Sequence, residues 1–157
     1  MADPTDSVPA QLLEERAVVL DAAAADKESA IRRTGQVLVD IGAVDPRYID
    51  AMLERERSVS TYMGSGVSIP HGTDEGRQSV HRDALAFLRF PDGVDWNGQQ
   101  ATIAIGIAAT GNNHVGILSK LAMILVHSDQ VAKLNAAADA REVIALLQPD
   151  GPDDGDV

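Results

Sequence analysis

No cysteine occurs among the 157 residues. That excludes disulfides, thiolate zinc sites and a cysteine nucleophile. No apolar run approaches the ~20 residues that a membrane-crossing helix needs, so no membrane insertion is expected. Residues 1–10 lack a basic stretch followed by an apolar core. They do not read as a secretory signal, and the cytoplasm is the expected location. Basic residues are scarce: 13 Lys and Arg stand against 24 Asp and Glu, a formal net charge of −11. A nucleic-acid partner needs a basic footprint on phosphate, so none is expected.

The composition that remains, 45% hydrophobic and 24% charged, is that of an ordinary globular protein long enough to bury one core. Asp3, Asp6, Asp150, Asp153, Asp154 and Asp156 gather at the two ends. Residues 1–10 hold two prolines and few apolar residues, residues 149–157 are rich in Pro, Gly and Asp, and both read as disordered tails. Residues 11–148 are left as a single domain. Its moderate acidity suits a basic protein partner, and it equally suits solubility.

Hydrophobic spacing lays out the elements. Val18-Val19-Leu20 reads as a short strand. Asp26 offers an N-cap, and Ser29 to Ile41 repeats apolar residues at helical spacing before Gly42. Asp45-Pro46 opens a second helix, with Asp as cap and Pro at the first position, running toward Arg57. The stretch from Val59 to Gly66 breaks it, and Val67 to Ile69 is a short strand. Asp83 to Phe90 reads as a strand ended by a Pro91-Asp92-Gly93 turn. Ala101 to Ala108 is almost wholly apolar, as in a central strand covered on both faces. His114 to Val126 is a helix, followed by short helices over 129–137 and 140–147. Strands interleaved with helices give an α/β sandwich, helices packed on a small central sheet.

The most informative stretch is Gly64-Ser65-Gly66-Val67-Ser68-Ile69-Pro70-His71-Gly72-Thr73. Pro70 fixes its own φ and pushes Ile69 toward extended geometry. Gly72 removes bulk beside the imidazole. A histidine so placed is rigidly aimed and open to a large approaching group. A turn-capping histidine at a strand end would look similar, and the flanking residues decide between the two.

Those flanks resemble the mannitol-type EIIA domain of the bacterial phosphotransferase system. The resemblance runs through Met52-Leu53-Glu54-Arg55-Glu56, Ser60 to Gly64, Ile69 to Thr73, Phe90 to Trp96, Ile105 to Ala109, Asn112-Asn113-His114 and Ile117 to Ala122. It covers roughly residues 11 to 147. It implies a mixed sheet flanked by helices and a phosphocarrier that takes a phosphoryl group onto His71, at Nε2. The implied donor is the phosphohistidine of HPr, charged from phosphoenolpyruvate through enzyme I. The implied acceptor is a cysteine of an EIIB domain, in mannitol uptake. Imidazole suits the task because its neutral form is nucleophilic near pH 7 and its P–N bond transfers readily.

The resemblance also assigns His114 to phosphate stabilisation. A helix N-terminus there already favours an anion. It places Arg55 near the phosphohistidine, where a guanidinium clamps phosphate with two hydrogen bonds. A solvated helix charge between Glu54 and Glu56 is the alternative. The Thr73 hydroxyl is a weaker candidate that would contact phosphate or cap the next turn. His81 and His127 match no motif and receive no role. Two departures stand out. Ser65 replaces the asparagine often found between the two glycines, and Asn112-Asn113 replaces the usual Asn-Glu before the second histidine. No cofactor is expected. A metal site on His71 and His114 lacks HxH or HExxH spacing and a third ligand. Two alternatives to mannitol transport are a fructose-type EIIA and a regulatory paralogue that binds other proteins according to its phosphorylation.

Overall fold

The structure is a computed structural model that describes residues 12–110 and 113–147, the side chains of Asn113 and His114 excepted. Both expected tails lie outside the described residues. The elements in order are β1 (Val18–Val19), α1 (Lys27–Asp40), α2 (Tyr48–Ser58), β2 (Tyr62–Gly64), β3 (Val67–Ser68), β4 (Ala84–Trp96), β5 (Gln99–Ala108), α3 (Asn113–Leu125), α4 (Ser128–Ala136) and α5 (Ala140–Leu146). Two 3-10 segments, Glu15–Ala17 and Glu75–Ser79, join them.

Local chemistry sets the helix ends. Asp26 is extended and accepts from the Ser29 amide at 2.8 Å, capping α1 as its sequence promised. The start of α2 differs from expectation. Asp45 and Pro46 form a 3-10 turn ahead of the helix, with Tyr48 N donating to Asp45 O and Ile49 N to Pro46 O. The Asp45 carboxylate is 3.0 Å from His81 Nε2 instead of capping α2. A side-chain partner from a distant loop has displaced the local cap.

The sheet has five strands in the order β1-β4-β5-β3-β2. β1 is parallel to β4 and β3 is parallel to β5, while β4 is antiparallel to β5 and β2 to β3. It is the mixed sheet of an α/β fold. β5 lies in the middle, as its apolar run requires. A Cβ on Gly106 would strike Thr34 Cγ2 at 2.5 Å, so that face of β5 lies against α1. Alternation then turns Ile103, Ile105 and Ile107 to the opposite face, and all three are buried. With both faces covered, Ala84 to Leu88 of β4 are buried without alternation.

The expected turn at Pro91-Asp92-Gly93 is corrected. β4 continues through it to Trp96, and the register jumps from Arg89↔Ile103 to Val94↔Ala101. The segment is a bulge. β1 pairs with β4 at Phe87 and Leu88, and Ala22 N still donates to Arg89 O at 2.9 Å. Past Arg89 no further backbone pairing continues along that edge among the described residues, and it tolerates a proline. The chain reverses instead at Asn97-Gly98, with φ of 56° and 90°. That is the turn type favoured by Asn-Gly in two-residue hairpins. Within the expected helix break, β2 is a strand of its own. It pairs with β3 across Gly64, Ser65 and Gly66, with φ of 105°, 58° and 81°.

Candidate functional site

β3 and β5 run parallel, so their carboxyl ends emerge on one side of the sheet. Ligands of open α/β sheets gather at such ends. Beyond β3, Ile107 N donates to Pro70 O at 3.0 Å, and His71 pairs with Ile107 in an isolated parallel bridge. The ring is half-buried. Its Nδ1 lies 2.8 Å from Ile69 O. A carbonyl only accepts, so Nδ1 carries the proton and the neutral ring holds its lone pair on Nε2. The extended geometry that Pro70 imposes on Ile69 brings that carbonyl under the ring.

The loop is held from beneath by Tyr48, the first residue of α2. Its hydroxyl donates to Ile107 O at 2.8 Å and accepts from Gly72 N at 2.9 Å. Tyr48 is only 2% exposed. Burial pushes its phenol up to about 12, against the lowering effects of the Gly72 amide and the Arg77 charge. Gly72 is required by close approach. A Cβ there would lie 2.5 Å from Tyr48 Cε1.

Arg55 and Thr73 line one cleft of about 370 Å³ with Glu54, Ser58, Asp74 and Glu75. Arg55 Nη1 donates to Val59 O at 2.7 Å, at the end of its own helix. The Thr73 hydroxyl accepts from Gly76 N at 3.1 Å and so caps the following 3-10 segment. The adjoining cleft, about 420 Å³, is lined by Asp45, Asp50, Glu54 and Glu75 among others, with Arg47 as its cation. Both clefts, which reach Thr73 and are not lined by His71 itself, are therefore acidic, relieved by single arginines. His114 is in the first turn of α3, which follows β5. Its side chain lies outside the described residues.

Three further residues build the site, and sequence reasoning does not single them out. Glu56 figures there only as a carboxylate flanking Arg55. It is buried, accepting from Thr61 N at 3.0 Å and Thr61 Oγ1 at 2.6 Å, and from Trp96 Nε1 at 3.0 Å. Lys27 Nζ stands 3.7 Å away. Burial pushes its carboxyl up, but hydrogen bonds from Thr61, Ser60 and Trp96 outweigh that and leave it below its ordinary value. Its spacing of four from Met52 is the available signal. Tyr48 precedes Met52 by the same interval, and a buried tyrosine needs a partner for its hydroxyl. Asp83 accepts from Thr110 N at 2.7 Å and from Thr110 Oγ1 at 3.0 Å, tying the start of β4 to the end of β5. Among the described residues no group of three or more His, Asp or Glu could hold a metal ion.

Comparison with known proteins gives a consistent result. The family described as phosphoenolpyruvate-dependent sugar phosphotransferase system, EIIA 2, matches residues 11–149. The mannitol-specific phosphotransferase enzyme IIA component of Halalkalibacterium halodurans is 41% identical over 136 residues, which is 87% of this chain and 94% of that one. A chain of the complex of enzyme IIA and phosphorylated enzyme IIB for mannitol from Escherichia coli matches with a TM-score of 0.79 and 34% identity, over 87% of this chain and 98% of that one. The nitrogen regulatory protein IIA-Ntr of Neisseria meningitidis matches with a TM-score of 0.78 and 26% identity, over 88% and 97% of the two chains.

Proposed function

The chain belongs to the EIIA 2 family of the phosphoenolpyruvate-dependent sugar phosphotransferase system, and from that premise we propose that it relays a phosphoryl group through His71 in mannitol uptake. The donor is phospho-HPr, the acceptor is a cysteine of an EIIB domain, and the relay works in the cytoplasm. The observation that carries this reading is the hydrogen bond from His71 Nδ1 to Ile69 O. It commits the ring to the tautomer whose Nε2 is the nucleophile.

The chemistry balances without a proton transfer at His71. The Nε2 lone pair attacks phosphorus, a P–N bond forms there, and the donor's P–N bond breaks. The ring keeps its Nδ1 proton and becomes cationic, and the Ile69 carbonyl stabilises that charge. Because the phosphorylated ring is cationic, it departs as neutral imidazole, a good leaving group. When the EIIB thiolate attacks, a P–S bond forms, the P–N bond breaks and Nε2 recovers its lone pair.

Charge spreads over the equatorial oxygens during transfer and calls for preplaced donors. We assign His114 and Arg55 to that role. For Arg55 this requires the guanidinium to turn from Val59 O toward His71. Thr73 would contribute only if its hydroxyl also reached the phosphate while capping Gly76. The acidic cleft walls suit a basic carrier protein.

Intact mass after incubation with phosphoenolpyruvate, enzyme I and HPr tests the first half. One acid-labile phosphoryl group is expected on the wild type and none on His71→Ala. Adding a mannitol EIIB tests the second half, with loss of label from this chain and gain by the EIIB cysteine expected. The fold alone does not separate transport from regulation, since the nitrogen regulatory relative has nearly the same TM-score. The higher identity to mannitol proteins favours transport. Label that enters His71 and never leaves for EIIB would favour the regulatory reading.

A further inference from the structure

A parallel ladder follows a fixed pattern around a bridged pair. The residue on one strand donates to the residue before its partner and accepts from the residue after it. At the His71↔Ile107 bridge the first half is present, Ile107 N to Pro70 O. In the second half the Tyr48 hydroxyl stands between the two groups. It accepts from Gly72 N and donates to Ile107 O, at 2.9 and 2.8 Å. The phenol oxygen is thus a one-atom spacer in the ladder. It engages both of these backbone groups immediately after His71.

We propose that Tyr48 is a positioning residue for phosphoryl transfer at His71: its hydroxyl, bonded to both Gly72 N and Ile107 O, fixes the backbone just after His71, and so holds the imidazole with Nδ1 on Ile69 O and the lone pair on Nε2. The inference rests on His71 as the phosphoryl acceptor and extends that reading to a residue on another element. Three observations converge on it. Ile107 brackets His71 on both sides, directly through Pro70 and by way of the phenol through Gly72. The phenol is buried and makes both hydrogen bonds its hydroxyl can direct along the ladder. Gly72 admits no side chain because the Tyr48 ring occupies that space. Removing the hydroxyl leaves Gly72 N and Ile107 O either unpaired or closing directly on each other. Either outcome rotates the peptide that carries the imidazole.

The test uses the full chain with Tyr48→Phe and Gly72→Ala. The first deletes the hydroxyl and keeps the ring. The second keeps the hydroxyl and displaces the ring. Single-turnover transfer from saturating phospho-HPr is expected to slow by about 10- to 100-fold in each, with the donor concentration for half-saturation unchanged. Nitrogen-15 spectra of His71, taken without any donor, are expected to move from a single Nδ1–H tautomer toward a mixture. A folded variant with wild-type rate and wild-type His71 signals overturns the proposal. Should Tyr48→Phe fail to fold, Gly72→Ala decides the matter by the same two readouts. Arg89→Met serves as the control for simple destabilisation and is expected to leave the His71 signals in place. Absence of phosphorylation in the wild type would refute the relay itself, whereas the donor-free spectra judge Tyr48 independently.

Discussion

At the residue scale, neighbouring groups decide what each side chain can do. Tyr48 is a phenol held protonated. Its folded value of about 12 stands above the ordinary 10.0, so the folded chain holds this proton more tightly than the unfolded chain does. The resulting stability is complete below pH 10 and is lost as pH rises through 12. Two units correspond to about 2–3 kcal/mol. Urea unfolding across pH 9–12 should show this loss in the wild type, and Tyr48→Phe should lack this share of the alkaline slope. His71 is legible without a structure because its constraints are consecutive: proline before it, glycine after it. Tyr48 is not, because the groups it joins, Gly72 and Ile107, are distant from it in sequence and from each other. Thr73 shows the opposite lesson. Its hydroxyl is already engaged by the Gly76 amide, a local turn bond that the sequence allows as readily as a phosphate contact.

At the element scale, the end of α2 depends on a buried carboxylate. Glu56 binds the loop that leads into β2 through Thr61, and the far end of β4 through Trp96. It therefore fixes the helix bearing Arg55 against the hairpin leading to His71. Glutamine offers one acceptor oxygen where the carboxylate offers two, so Glu56→Gln turns an N–H toward a donor. A loss of about 2–3 kcal/mol is expected by denaturant unfolding at neutral pH. The pH sign is opposite to that of Tyr48. A depressed carboxyl contributes fully above its ordinary value of 4.5 and loses its contribution as pH falls below that through the folded value. The wild-type advantage over Glu56→Gln should therefore shrink in acid, and an advantage constant down to pH 2 would refute the assignment. The helical spacing of α1 and α3 and the continuous apolar run of β5 are readable from the sequence alone. The course of β4 is not, because Pro-Asp-Gly is good turn chemistry. Only its place at an open sheet edge turns it into a bulge.

At the scale of the whole molecule, Arg89 joins parts that the chain order separates. From β4 its Nη1 donates to Leu134 O, Asn135 O and Ala137 O at 2.9–3.1 Å, closing the end of α4. Its Nε donates to Leu20 O at 3.3 Å, just past β1. A cation at a helix carboxyl terminus also meets the favourable end of the dipole. Arg89→Met keeps the stem and removes these bonds. A loss of about 2 kcal/mol is expected in thermal or urea unfolding, with His71 phosphorylation intact. Loss of phosphorylation in a folded variant would show that the α4 side of the sheet feeds the site. The sequence by itself determined the alternation of strands and helices, the central position of β5 and the identity of the candidate reactive histidine. Each follows from local covalent limits or from a period that burial enforces. Only the tertiary structure decided where β4 bends, that Glu56 is buried, that Asp45 meets His81 instead of its own helix, and that a tyrosine enters the ladder beneath His71. Those outcomes are pairings between distant groups, and a pairing is fixed only when the sheet brings both partners to the same place.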